Sequence, residues 1–190
     1  MNGLRCLMLA MLSMSSALAA EDVWQFESIT GEKVRPFAEP TGKLMVAVFI
    51  TVDCPVANYF QPTLRRIQEK HAAAGVELVM IHSDPTVTKD KALAHAEEYA
   101  ITAPVVLDPD FAIARRLDAE VTPEAFVVTP AGEVKYRGRV NDMYTDFGKK
   151  RRAPRNNDLD DAIAAVLAGK EISAPKTKPI GCYIPYPKAK

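Results

Sequence analysis

Nine consecutive apolar or β-branched residues, Leu44 to Val52 (LMVAVFITV), constrain this chain more than any other segment. A run without polar alternation has no face to offer water, so it reads as a strand covered on both sides, the habit of sheets flanked by helices. The segments after it supply that cover. Residues 57–74 carry Phe60, Leu64 and Ile67 at helical spacing, and Gly75 closes the helix. Val76–Ile81 is a second buried run, and residues 88–100 read as a helix with Leu93, Ala96 and Tyr99 inward. Val105–Leu107 is a short strand, Asp108-Pro109-Asp110 a turn and cap, and Phe111–Leu117 a short helix. Ala125–Thr129 and Val134–Arg139 flank Pro130-Ala131-Gly132-Glu133 as an antiparallel hairpin, and Leu159–Leu167 is a last helix ended by Gly169. Upstream, Phe26–Arg35 alternates around Gly31 as a further hairpin. A parallel βαβ half followed by an antiparallel ββα half leaves few right-handed closures, all of them α/β with one mixed central sheet and helices on both faces.

Residues 1–19 have one cation (Arg5), an apolar run and the small-residue ending Ala17-Leu18-Ala19, the layout of a secretory signal cleaved after Ala19. This predicts a periplasmic or secreted protein with no membrane span after cleavage. It also removes Cys6, leaving Cys54 and Cys182, a number that an oxidising compartment can pair. The expected layout is a signal at 1–19, one folded domain at 20–169 and a Pro- and Lys-rich tail at 170–190 carrying Cys182. Lys+Arg and Asp+Glu balance at 24 each, with no basic stripe, so nucleic acid is excluded as a partner.

Cys54 follows the first buried strand directly and precedes a helix, with Pro55 at the first helical position, where its missing N–H costs nothing. A sulfur at a helix N-terminus meets unpaired N–H groups and the positive end of the dipole, which favour thiolate over thiol. Cys54 is therefore the candidate nucleophile. His82 ends the second strand and is expected at the same sheet edge, as a surface histidine or as a base or metal ligand. His71 and His95 are expected to be solvated. Arg137 and Arg139 alternate on a strand, so one of them faces the site; Arg139 is the candidate to hold a thiolate or peroxide oxygen, against an ordinary exposed cation. Lys149-Lys150-Arg151-Arg152 lies in a polar stretch expected to be a solvated loop, or a dock for an acidic partner.

The segment Phe49-Ile50-Thr51-Val52-Asp53-Cys54-Pro55-Val56-Ala57, with Val121-Thr122-Pro123-Glu124-Ala125-Phe126, Gly132–Arg139 and Gly181-Cys182-Tyr183-Ile184, resembles the thioredoxin-like superfamily in its peroxiredoxin-like (AhpC/TSA, redoxin) branch of secreted bacterial proteins. The resemblance implies a thioredoxin-like fold and a cis Thr122-Pro123 bond beside the nucleophile. Ala57 stands where thioredoxins place their second cysteine, so a mixed disulfide on Cys54 cannot close within the motif. The peroxiredoxin pattern Pro-x-x-x-Thr-x-x-Cys is half kept, with Thr51 present and Ala47 at the proline position.

Cys182 is expected to resolve an oxidised Cys54 if the tail folds back; the same two sulfurs would otherwise form a permanent clip. The function expected is a periplasmic thiol–disulfide oxidoreductase with Cys54 as nucleophile and Cys182 as resolving thiol, acting on protein or small-molecule disulfides and recharged by a thiol reductant, without a cofactor. A peroxiredoxin-like thiol peroxidase acting on peroxides is the first alternative. Peroxide turnover is expected to be slower than disulfide exchange, because only Thr51 and Arg139 remain to stabilise a leaving oxygen. A copper-binding module using Cys54, Cys182 and His82, similar to the copper chaperones of respiratory oxidases, is the second. That resemblance is weakened by Asn58, where those proteins carry a cysteine. A third alternative is a degenerate fold kept for partner binding, with Cys54 unreactive.

Overall fold

The structure is a computed structural model and describes residues 26–34 and 44–188. The expected signal at 1–19 lies outside the described residues. In chain order the elements are β1 (Phe26–Glu27), β2 (Lys33–Val34), β3 (Leu44–Phe49), α1 (Pro55–His71), β4 (Val76–His82), α2 (Lys89–Glu98), β5 (Val105–Leu107) and α3 (Ala112–Leu117). They continue with β6 (Val121–Thr122), β7 (Glu124–Val128), β8 (Val134–Gly138), β9 (Tyr144–Asp146), β10 (Lys149–Lys150), α4 (Asp158–Leu167) and β11 (Cys182–Tyr183).

Five strands form the central sheet in the order β5-β4-β3-β7-β8. β3 runs parallel to β4 and antiparallel to β7, so the sheet is mixed as the segment order requires. All six residues of β3 are buried, which accounts for their uninterrupted apolar character. Val46 and Val48 face a core shared with Leu64 of α1, Ala92 of α2 and Leu159 of α4. Ala47 and Phe49 face a second core with Ile113 and Leu117 of α3 and Ile184 of the tail. The hairpin β1–β2 extends the β5 edge through Ile29 N–H, which donates to Val105 O at 2.8 Å.

Three expectations are corrected. α2 does not bury Leu93, which is 39% exposed; it buries Ala92 and His95. The stretch after β8 is not all loop, because β9 and β10 pair there antiparallel. Three of its four cations are engaged: Lys149 pairs with Asp146, Lys150 Nζ lies 4.7 Å from the Tyr59 ring centroid, and Arg151 pairs with Asp142. The tail also contains a strand, β11, which pairs antiparallel with β6.

Candidate active site

Cys54 is the N-cap of α1. Its backbone is extended (φ −89°, ψ 107°), and its sulfur accepts from the Ala57 amide at 3.4 Å. The same sulfur, as a thiol, donates to the Thr122 carbonyl at 2.9 Å. That carbonyl belongs to the last residue before Pro123, and the Thr122–Pro123 peptide is cis, as the family resemblance implies. The strand that carries Cys54 and the segment that carries Pro123 meet because β3 and β7 are neighbours, with Phe49 opposite Glu124. Cys54 has no exposed surface.

The tail reaches this edge. Cys182 pairs with Thr122 and Tyr183 with Val121, and the Thr122 hydroxyl is 3.4 Å from the Cys182 carbonyl, to which it donates. Gly181 makes the approach feasible: a Cβ there would overlap the Thr122 carbonyl oxygen and lie 2.6 Å from its carbon. β11 is tethered on both sides. Upstream, Arg137 N–H donates to Pro175 O and Thr177 N–H donates to Arg137 O, both at 3.0 Å, so the tail adds to the free edge of β8. There the Tyr136 hydroxyl donates to Arg139 O at 2.6 Å and lies 2.7 Å from Thr177 Oγ1. Burial raises the Tyr136 phenol, which stays protonated as a donor. Downstream, Ile184 is buried and its N–H donates to Glu120 O at 2.9 Å, while the Tyr186 hydroxyl donates to Ala119 O at 2.7 Å.

Both cysteines are free thiols in the structure. Burial, a hydrogen bond to the Cys54 sulfur and the charge of that sulfur push the Cys182 thiol up to about 12. The tail thus places Cys182 beside Cys54, at the same carbonyl of Thr122.

The remaining expected site residues fall elsewhere. Thr51 supplies its carbonyl to Cys54 N–H at 3.3 Å, and among the described residues its hydroxyl makes no hydrogen bond to the sulfur. Arg139 does not reach for an oxyanion. It forks onto Asp158 at the start of α4, Nε to Oδ2 at 2.8 Å and Nη2 to Oδ1 at 3.1 Å. The cause is local: Gly138, at φ +147°, ends β8, so Arg139 lies beyond the strand and its alternation.

Arg137 does serve the site, a role the sequence alone did not assign to it. It donates to the buried carboxylate of Glu124 at 3.0 Å and to the carbonyl of Asp118 at 2.7 Å, and Glu124 in turn accepts from the Glu120 amide at 2.8 Å. This network ties together residues 118–124, the segment that presents the Thr122 carbonyl. A glutamate directly after the Thr-Pro pair, opposite an arginine on the next strand, was the available signal.

His82, expected at the surface or at the site, is 1% exposed and packs its ring 5.3 Å from that of His95. His71 and His95, expected in solvent, are buried. His71 Nε2 lies 2.7 Å from Asp160, and His95 Nε2 lies 2.8 Å from Asn58 Oδ1. Asn58 Nδ2 donates to Val52 O at 2.9 Å, which leaves its Oδ1 as the acceptor and makes His95 Nε2 the donor. The pair braces the turn that carries Cys54. Among the described residues no three His, Cys, Asp or Glu side chains are grouped to hold a metal ion, so Cys54, Cys182 and His82 do not form a ligand set.

Burial, then the neighbouring His95, lowers His82 to about 3, and burial also lowers His95. A base with a folded pKa below its unfolded 6.5 contributes stability that is fully present above pH 6.5 and lost as the pH falls toward 3. Between pH 7 and pH 5 His82 alone should cost on the order of 2 kcal/mol. Urea unfolding at the two pH values measures this. His82→Leu is expected to flatten the difference; an unchanged slope would assign it to other groups.

A nucleophile-position cysteine at the head of α1, a cis-proline segment beside it and a five-stranded mixed sheet with helices on both faces define the thioredoxin-like fold. The chain matches the AhpC/TSA family over residues 21–137 and belongs to it. No curated protein matches the chain. Among solved structures it is similar to an uncharacterized conserved protein from Geobacillus kaustophilus, at 22% identity and TM-score 0.75 over 88% of this chain and 90% of that one. A hypothetical protein from Sinorhizobium meliloti 1021 gives 22% identity and TM-score 0.72 over 87% and 91%. A secreted disulfide oxidoreductase of Mycobacterium tuberculosis, homologous to E. coli DsbE, gives 17% identity and TM-score 0.52 over 80% and 99%. Among the described residues no helix is long and apolar enough to cross a membrane.

Proposed function

We propose that the protein is a thiol–disulfide oxidoreductase in which Cys54 is the nucleophile and Cys182 the resolving thiol. The observation that carries this reading is the sulfur of Cys54 capping α1 and bonded to the Thr122 carbonyl while the tail pairs Cys182 directly opposite Thr122. Cys182 fills the role that Ala57 cannot. The family membership and the fold shared with the secreted disulfide oxidoreductase support the reading, and that relative's secretion supports an extracytoplasmic location. Disulfide exchange is favoured over peroxide reduction because, among the described residues, the two side chains expected to stabilise a leaving oxygen are not aimed at the sulfur: Arg139 is engaged by Asp158, and Thr51 meets Cys54 through its carbonyl. Exchange asks for a thiolate, a resolving thiol and a leaving sulfur.

The test is peptide mapping after mild oxidation, together with exchange activity. Wild type is expected to yield one intramolecular Cys54–Cys182 bond that dithiol reductants reopen. Cys54→Ser should abolish exchange, whereas Cys182→Ser should trap a mixed disulfide on Cys54. Two free thiols after oxidation, or dimers linked through either sulfur, would overturn the assignment.

A further inference from the structure

Resting on that reading, we propose that the tail is a size filter: Cys54 is oxidised by low-molecular-weight disulfides, and polypeptide disulfides are kept from it. A polypeptide disulfide approaching Cys54 needs a stretch of extended backbone beside the residue that holds the sulfur, and the edge available is Val121–Thr122. In this protein that edge is already paired with Cys182 and Tyr183 of its own chain. Cys54 retains no exposed surface beneath the pairing, whereas Tyr183 is 83% exposed.

The strap is not a loose end that a competing strand displaces at little cost. It is tethered at Thr177 on the β8 side and at Ile184 and Tyr186 on the α3 side, where the Tyr186 ring packs against Phe111 with centroids 5.2 Å apart. Clearing room for a polypeptide means releasing β11 together with one of those anchors. A small disulfide is expected to reach the sulfur when Cys182 and Tyr183 lift locally, with both anchors left in place. Size discrimination is therefore expected to reside in the anchors and not in the reacting groups.

The chemistry balances without a further reagent. The Cys54 thiolate attacks one sulfur of R–S–S–R, the S–S bond breaks, and RS⁻ leaves and takes a proton from water. Cys182 then gives up its proton and attacks the Cys54 sulfur of the mixed disulfide, expelling the second RS⁻. The small disulfide is reduced to two RSH, and the two cysteines are oxidised to one bond.

Second-order rates of Cys54 modification test the filter in a reduced Cys182→Ser background, where no resolving step intervenes. The probes are oxidised glutathione and insulin, with the modified residue mapped by mass spectrometry. Glutathione is expected to react on the order of 100-fold faster than insulin. Adding Ile184→Ala should raise the insulin rate roughly tenfold and leave the glutathione rate nearly unchanged. Tyr186→Phe, which deletes one hydrogen bond and little packing, should move the insulin rate the same way by a smaller factor. Equal rates for the two probes before any anchor is loosened would overturn the proposal. So would anchor variants that raise both rates alike. Failure of both probes would instead remove Cys54 as the nucleophile, and the filter with it.

Discussion

Gly181→Ala is expected to slow formation of the Cys54–Cys182 disulfide by roughly 100-fold, since a methyl group driven into a packed contact costs about 1–3 kcal/mol. The contact is with backbone and not with a flexible side chain. A Cβ on residue 181 would overlap the Thr122 carbonyl oxygen and lie 2.6 Å from its carbon, with Pro123 N at 3.2 Å. Neither atom can yield without moving the carbonyl that accepts from Cys54. The tail must lift instead, carrying Cys182 away from Cys54. The measurement is the rate of intramolecular disulfide formation after a pulse of a small disulfide. Circular dichroism should show an intact fold, because Gly181 lies outside both core clusters. Wild-type closure rates in Gly181→Ala would mean that Cys182 does not reach Cys54 along the pairing with β6.

Arg137→Ala is expected to destabilise the protein by about 3 kcal/mol, the lower end of the range for removing one partner of a buried ion pair. The Glu124 side chain is 2% exposed and the Arg137 side chain 19%, so truncating the arginine strands a carboxylate with only the Glu120 amide as donor. The lower end applies because the guanidinium is itself partly solvated. Urea unfolding at neutral pH reads the loss. Glu124→Gln in the Arg137→Ala background should recover part of it by removing the stranded charge. A single variant within about 0.5 kcal/mol of wild type, the range of ordinary surface substitutions, would show that the network contributes nothing to stability.

The buried run at Leu44 announces β3 because a strand covered on both faces has no polar positions to confuse the pattern. The run overshoots the strand's end by three residues: after Ile50, whose N–H still donates to Ile81 O at 2.9 Å, the chain leaves the ladder for the turn into Cys54, and nothing in the composition of Ile50-Thr51-Val52 marks that departure. For α2 the pattern finds the helix but turns it about its axis. Apolar spacing puts Leu93 inside, whereas the buried position is His95, held by Asn58 thirty-seven residues away in sequence, a polar contact that no hydrophobic period encodes. The two-residue strands β6 and β11 are too short to have a period at all. For Cys54 the local signals agree, since strand end, cysteine, proline and helix start are contiguous. For Arg139 they mislead, because alternation along β8 carries one residue past the glycine that ends it. A resolving role for Cys182 is suggested by the pairable cysteine count and by Ala57 in the motif, but not where the tail would dock; the clue to that is the glycine before it, the one residue type that tolerates so close a backbone approach.

The placement of β11 sets the order of events during synthesis. Cys182 is made about 130 residues after Cys54, a separation at which loop closure is slow and non-local contacts form late. The sheet can assemble from residues 44–138 before the tail exists, because β11 contributes to none of its five strands. On the size-filter proposal, newly made protein therefore passes through an interval in which the sheet and Cys54 are in place without β11 over them, open to any disulfide regardless of size. Pairing of β11 with β6 closes that interval, and a copy truncated before Gly181 would remain in it permanently, folded but with Cys54 open to mispairing with other thiols.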